Sequence, residues 1–447
     1  MNRSLNLSLL VAGFMAIAIP RLSQAEWLQF RGPSGAGVLA NSTYPTTWSV
    51  DDNIAWNSPL PGGGWSSPIV VGDRVFITMA VSKDIGRPKG FGGGVASMRG
   101  LSSRKPPQDP ISFELHCLSL IDGSEIWKRV VDDRRPAFAI HPSNTYATES
   151  PAVSQDQVFV YFASTGVVAC YDLAGEEIWK REIGAFRTSN NFGTASSVAV
   201  DDGKVFIQCD NEDQSFVVAF DAASGEEAWR KERDVSTSWS SPIVWKNRLR
   251  NELILCGSDS VISYEPNTGK QLWSLTGTGG TFSGSPTCDA DRIYFGNSGR
   301  NSRGPLVAIA AGAEGELDVE DETSDKGIVW VQPSSGPGMA SPVVVDGKLF
   351  VLSRSILTCH DAKTGERLYR NRLPAKSVAA SLWSTNNQLF VLDEAGNTFV
   401  VEVAEDFELV GENSISGLFW STPAVSTDCL LLRAADRLYC IRSTESP

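Results

Sequence analysis

Val217-Val218-Ala219-Phe220-Asp221-Ala222-Ala223-Ser224-Gly225-Glu226-Glu227-Ala228-Trp229 reads as two short strands joined by a tight turn. An acidic side chain at the head of the turn can accept from the turn backbone, and Gly225 supplies the positive φ that closes it. The same pattern returns at Ala169-Cys170-Tyr171-Asp172 with Gly175 and Trp179, at Ile262-Ser263-Tyr264-Glu265 with Gly269 and Trp273, and at Thr358-Cys359-His360-Asp361 with Gly365 and Tyr369. A hairpin recurring at this interval is half of a four-stranded unit, and the other half lies upstream. There a small pair opens a β-branched run, at Ser67-Pro68, Ser150-Pro151, Ser196-Ser197, Ser241-Pro242, Ser285-Pro286, Ser341-Pro342, Ala380-Ser381 and Thr422-Pro423. The spacings are 83, 46, 45, 44, 56, 39 and 42 residues, the period of a propeller blade.

The ends decide closure. The last unit, from Thr422 to about Arg442, has three strands, whereas Asn53-Ile54-Ala55-Trp56 is a fourth-strand pattern standing before the first Ser-Pro pair. Joining them completes one blade and protects the sheet edges that an open array would leave bare. The expectation is an all-β, eight-bladed β-propeller of four-stranded antiparallel blades, closed by an N-terminal strand. Seven blades is the alternative, because the unit from Ala380-Ser381 to Leu409 is the weakest repeat. The fourth-strand aromatics Trp56, Trp127, Trp179, Trp229, Trp273 and Trp330 are expected to pack between neighbouring blades.

The chain has 447 residues, 39 Lys plus Arg against 52 Asp plus Glu, and a net charge of −13. That field repels a phosphate backbone, so nucleic acid is not an expected partner. Residues 1–25 have the form of a signal peptide: a basic Arg3, an apolar stretch from Leu9 to Ile19, and Ser23-Gln24-Ala25 at the cleavage site. The stretch is too short to span a bilayer. The expectation is a periplasmic or secreted protein cleaved near Ala25, leaving one propeller over 26–447 without a transmembrane segment. The cysteines at third-strand positions, Cys117, Cys170, Cys359 and Cys440, alternate with Ala219 and Ser263 and read as small buried residues.

The hairpin resembles the A-x-D-x-x-[TS]-G-x-x-x-W repeat of the pyrroloquinoline quinone (PQQ) repeat superfamily, and the resemblance extends over residues 27 to 442. That superfamily includes quinoprotein alcohol dehydrogenases, the lipoprotein of the outer-membrane β-barrel assembly machine, and exported PQQ-like propellers. Trp27-Leu28-Gln29-Phe30-Arg31-Gly32-Pro33-Ser34-Gly35 and His141-Pro142-Ser143-Asn144-Thr145-Tyr146-Ala147 are most similar to the third group. In the dehydrogenases a PQQ cofactor lies between a Trp and a ring of two adjacent disulfide-bonded cysteines, with Ca²⁺ beside it. The present chain has no adjacent cysteine pair.

Ligands of propellers gather at the channel mouth, where the residues just before the small pairs form a rim: Trp65, Glu149, Asn190, Asn191, Trp239 and Trp420, with Phe282 and Met339. Glu149 and Asn190 are the candidate Ca²⁺ oxygens, and Trp65, Asn190, Asn191, Trp239 and Trp420 the candidate cofactor contacts. Of the three histidines only His141 is expected in a loop, which makes it, with Glu149, the candidate general base. The functional expectation is a non-catalytic binding or scaffold module holding a protein, peptide or glycan at the rim. A divergent PQQ/Ca²⁺-dependent alcohol or sugar dehydrogenase and a subunit of an envelope assembly complex are the alternatives. An insertion at about 81–110, carrying Lys83, Arg87, Lys89, Arg104 and Lys105, reads as a mobile basic loop, and the run from Glu314 to Asp325 as a solvated acidic one.

Overall fold

The computed structural model describes residues 26–83, 85–90, 104–298 and 303–443. The signal-peptide reading, and residues 84 and 91–103 of the insertion, fall outside them. Eight antiparallel blades stand in a ring. Their innermost strands are Ile69–Val71, Ala152–Ser154, Ala199–Asp201, Ile243–Lys246, Thr287–Cys288, Val343–Val345, Trp383–Thr385 and Ala424–Val425, here blades 1 to 8 in that order. Blade 8 takes Ile54–Pro59 as its outermost strand, antiparallel to Arg437–Ile441. The expected closure and the eight-blade count both stand, and the weak seventh unit is a complete sheet ending in Leu409–Ser414. Among the described residues the only helical turns are the 3₁₀ segments Ser189–Asn191 and Val319–Asp321. Among the described residues no helix is long and apolar enough to cross a membrane.

The periodic residues are explained by contacts across blade boundaries. A bulge just before each outer-strand aromatic re-aims its ring toward the next blade. Trp179 Nε1 donates to Ala222 O at 2.8 Å, Trp229 Nε1 to Pro266 O at 2.9 Å, and Trp330 Nε1 to Ala362 O at 3.2 Å. Each carbonyl belongs to the residue after the turn acid of the neighbouring blade. Gly225 has φ +67°, and a Cβ there would lie 2.4 Å from the Trp179 ring, so this glycine serves the turn and the docking ring together. The turn acids act as expected: Asp221 Oδ1 accepts from the Ala223 and Ser224 amides at 3.1 and 2.9 Å.

The small residue that opens each inner strand forms part of a hydrogen-bonded circle. Ser67 N donates to Ser150 Oγ, Ser150 N to Ser197 Oγ, Ser197 N to Ser241 Oγ, and Ser241 N to Ser285 Oγ, at 2.8 to 3.0 Å. Ser285, Ser341 and Ser381 continue it to Thr422 Oγ1 at 2.9, 3.3 and 2.9 Å. The eighth junction is built differently. Ser421 Oγ donates to Ser66 O, and the fully buried Arg433 donates to Ser66 O at 2.9 Å and to Thr78 O at 2.8 Å.

Sequence reasoning missed what fills the channel. Residues 27–39 run across the inner strands of successive blades. Trp27 exchanges backbone bonds with Val70 at 3.0 Å, Leu28 O accepts from Val153 N, and Gln29 Oε1 from Val200 N. Arg31 donates to Pro286 O at 2.7 Å, to Ala36 O at 2.9 Å and to Pro342 O. Val38–Leu39 then pairs in parallel with the inner strand of blade 7. Arg31 is fully buried with no carboxylate among these partners, and burial pulls its pKa down to about 9.

The acidic run differs from its reading as a solvated loop. Gly315–Asp318 is a strand, parallel to Gln271–Thr276, which extends blade 4 to five strands. Leu317 anchors it in the core between blades 4 and 5, while its acidic neighbours stay outside. This strand leaves from the turn on which Trp273 would otherwise dock, and Trp273 Nε1 donates instead to the buried Glu252 carboxylate at 2.7 Å. Ser263, the replacement for a third-strand cysteine, donates to the same carboxylate, also at 2.7 Å. All eight cysteines are free thiols, seven of them buried.

Candidate functional site at the channel mouth

The connections that enter blades 8, 1, 2, 3 and 4 bring a series of rings together on one face. Trp420 and Trp65 stack with centroids 6.0 Å apart and planes at 23°. Trp65 Nε1 donates to Ser143 O at 2.6 Å, and the Ser143 hydroxyl lies 2.6 Å from His141 Nδ1. The His141 ring stacks on Phe192 at 5.1 Å, and Phe192 meets Trp239 edge-on at 5.9 Å. Trp239 Nε1 donates to Gly193 O at 2.7 Å and Trp420 Nε1 to Glu394. Trp65, His141, Trp239 and Trp420 therefore belong to one half-circle of the mouth. Phe192, Ser143 and Glu394 complete it and were not singled out from the sequence; their signal is position only, since each lies in a connection on this face.

The other rim candidates separate. Phe282 turns away from the mouth into the core of blades 4 and 5, where it meets Phe295, and Met339 stays partly exposed. Asn190 and Asn191 sit in the 3₁₀ segment with φ of 50° and 55°. Asn190 is exposed and donates to Ser189 Oγ at 3.4 Å. Glu149 is buried, beside Thr194 and Tyr161. In the other blades the residue before the serine of the circle is Ser66, Ser196, Ser240, Gly284, Ala340, Ala380 or Ser421, so Glu149 is the one large side chain at this level. Burial pushes its carboxyl up to about 7, more than the polar contact with Thr194 brings it down.

His141 is buried and its pKa lies below the ordinary histidine value, chiefly through burial and then through the positive charge of Arg104. Ser143 N donates to Nδ1 at 3.1 Å and Asn144 N to His141 O at 2.9 Å, so the histidine braces a tight turn. Asn144 ties that turn to blade 3 by donating to Phe192 O at 3.1 Å and Thr194 O at 3.2 Å. The first part of the 81–110 insertion rests over this face. Lys89 N donates to Pro142 O at 3.0 Å, Arg87 pairs with Asp436 of blade 8 at 3.2 Å, and Gly90 packs on Glu394 and Leu418.

Eight blades bearing this hairpin, with Trp docked under Gly at the blade boundaries, define a PQQ-repeat β-propeller. A family model described as outer membrane protein assembly factor BamB matches residues 31–208 and 164–321, more than half of the chain, and the chain belongs to that family. Among solved structures it is similar to BamB from Moraxella catarrhalis, with 12% identity, a TM-score of 0.54, and coverage of 83% of this chain and 97% of that one. The quinohemoprotein alcohol dehydrogenase from Comamonas testosteroni gives 11% identity, a TM-score of 0.60, and 94% and 82% coverage. A europium-containing methanol dehydrogenase gives 9%, 0.59, and 93% and 98%. At such identities the likeness speaks for the fold alone. No curated protein sequence matches the chain.

The resemblance carried by the repeats raises PQQ with calcium, an ion that needs six to eight oxygens around it. Among the described residues no three His, Cys, Asp or Glu side chains are grouped to hold a metal. Glu149 is sealed with its proton affinity raised, while Asn190 faces solvent beside Ser189. Trp65 already stacks on Trp420, and Trp239 abuts Phe192. This donor set does not fit the calcium-quinone pair.

Proposed function

We propose that the protein is an exported, non-catalytic binding module that holds an extended polypeptide at the channel mouth. The observation that carries this reading is the half-circle from Trp420 through Trp65, His141 and Phe192 to Trp239, flanked by Glu394. The partly exposed rings of Phe192, Trp239 and Trp420 offer contact area at small entropic cost, with the buried Trp65 and His141 supporting them from below, and the Lys89 amide on Pro142 O is an intramolecular example of main chain held on this face. Each of the three rim indoles donates to a protein oxygen, so the rings are fixed before any partner arrives.

The test is a titration with a permanently unfolded, carboxymethylated protein, followed by tryptophan fluorescence, beside a calorimetric titration with PQQ with and without Ca²⁺. Saturable binding of the unfolded chain, lost in a Trp239→Ala variant, is expected. Calcium-dependent PQQ binding of micromolar affinity, about 8 kcal/mol, would overturn the reading in favour of the dehydrogenase. N-terminal sequencing of the exported protein is expected to begin at Glu26.

The assembly-subunit reading has its own support. The outermost strand of blade 1, Glu125–Arg134, is the longest in the fold, and it leaves Ile126 and Val130 48% and 53% exposed, with Ile121 in the adjoining turn at 66%. An open strand edge carrying apolar side chains suits strand addition by a partner. A Val130→Lys substitution would abolish binding there and leave mouth binding intact.

A further inference from the structure

A cavity lies on the face opposite the mouth. It measures about 650 Å³ and opens between the channel-filling segment and the first turns of blades 2 to 5. Its floor is Leu28, Gln29, Pro33 and Ser34, and its apolar walls are Val153, Val200 and Val244. Its polar groups are predominantly acceptors. Asp201 and Asp202 project from blade 3 and Asp289 from blade 5, with the Gln155 amide and the Ser154 hydroxyl from blade 2. Lys246 is the one cationic side chain in the lining, and it pairs with Asp201 at 2.5 Å.

These carboxylates differ in what they already hold. Asp289 is spent locally, since Oδ1 accepts from the Asp291 and Arg292 amides at 2.7 and 2.8 Å and Oδ2 from the Tyr294 hydroxyl at 2.9 Å. Asp202 is exposed at the cavity rim in a turn with φ 41°. No aromatic ring lines the cavity, so a sugar or a flat heterocycle finds no stacking platform. Valine, leucine and proline walls beneath a carboxylate rim suit a methylene stem with a cationic head, the arrangement by which lysine stems cover apolar surface.

We infer that this cavity is a binding site for an alkylammonium group, a primary amine on a methylene stem, carried by a free polyamine or by a lysine side chain. Asp202 meets the ammonium, the valine walls take the stem, and Gln155 and Ser154 accept its remaining protons. The site is on the other face from the mouth and stands or falls independently of the polypeptide reading.

Calorimetric titration of the purified protein in 150 mM salt with spermidine, and separately with acetyl-tetralysine amide, tests it. Saturable binding of at least one is expected. Asp202→Asn should weaken it about fivefold, the loss of one partly exposed charge contact. Asparagine tolerates the positive φ of this turn, so the fold is kept. Asp346 occupies the same kind of turn in blade 6, with φ 47°, but is not part of the cavity lining, and Asp346→Asn should change nothing. Binding of spermidine alone supports a site for free polyamine, and binding of the peptide alone supports a site for lysine side chains. No saturable heat from either probe, or an equal loss in both variants, overturns the inference and leaves only diffuse attraction to an acidic protein.

Discussion

Seven blade junctions of this propeller are written in the same terms, and the eighth is not. Between blades 1 and 8, taken in chain order, a serine or threonine oxygen receives the preceding blade's amide. Where blade 8 meets blade 1, Arg433 is inserted against Ser66 and Thr78 instead, and Arg31 closes the axis against the carbonyls of Pro286 and Pro342. The repeated junctions are held by many interchangeable small contacts. The unique parts are held by two buried cations, each donating to backbone carbonyls and each pulled down to about 9 by burial. Redundancy predicts graded losses in the first region and concentrated ones in the second.

The graded losses of the repeated junctions run from their small links up to their buried rings, and the largest effect should come from a ring. Trp179→Ala removes a buried ring and its bond to Ala222 O, and should cost about 4 kcal/mol in chemical denaturation. Arg31→Ala sharpens the contrast, because it strips the donor from three buried carbonyls at once. A loss of about 3 kcal/mol is expected, with Arg31→Lys recovering part of it.

Glu149 breaks the symmetry of the serine circle in a pH-dependent way. Its folded pKa of about 7 lies above the ordinary 4.5, so the folded state holds a proton that the unfolded chain gives up. Below the lower value both states are protonated and nothing is lost. Stability then falls as pH rises between the two values, and above about 7 the full penalty of about 3 kcal/mol applies. Glu149→Gln should therefore be stabilising at pH 8 and neutral at pH 4, measured by urea denaturation at both. The smallest effect is expected from Ser241→Ala, which deletes one link of the circle and should cost about 1 kcal/mol.

The same division explains what the sequence disclosed. The Ser-Pro pairs, the Asp-to-Gly turns and the tryptophans recur, and recurrence at a blade period leaves few architectures open. Even the closure was readable, because Ile54–Pro59 repeats a pattern whose partners are missing at the other end. The channel-filling segment occurs once. Its Arg-Gly-Pro-Ser-Gly-Ala-Gly run marks close approach of backbones, which is legible only after the ring is known: a Cβ on Gly32 would lie 2.7 Å from the Trp27 ring, and one on Gly37 would lie 2.9 Å from Leu382 O. At the mouth the large aromatics were found, whereas Phe192 and Glu394 were not, since a single phenylalanine or glutamate in a connection has no pattern to betray it. The opposite-face cavity left no trace because its walls are ordinary valines and turn aspartates.

The position of Arg31 also bears on how the chain is made. It is among the first residues of the propeller to be synthesised, yet its acceptors are Pro286 and Pro342, 255 and 311 residues downstream. Arg31 must therefore wait for its acceptors while five blades are produced behind it, and the last strands must arrive before Ile54–Pro59 has an edge to join. Contacts of such separation delay folding until the whole polypeptide is free. A protein arranged in this way cannot finish folding from its leading end, so it can remain threadable through a narrow conduit until its final residues have passed.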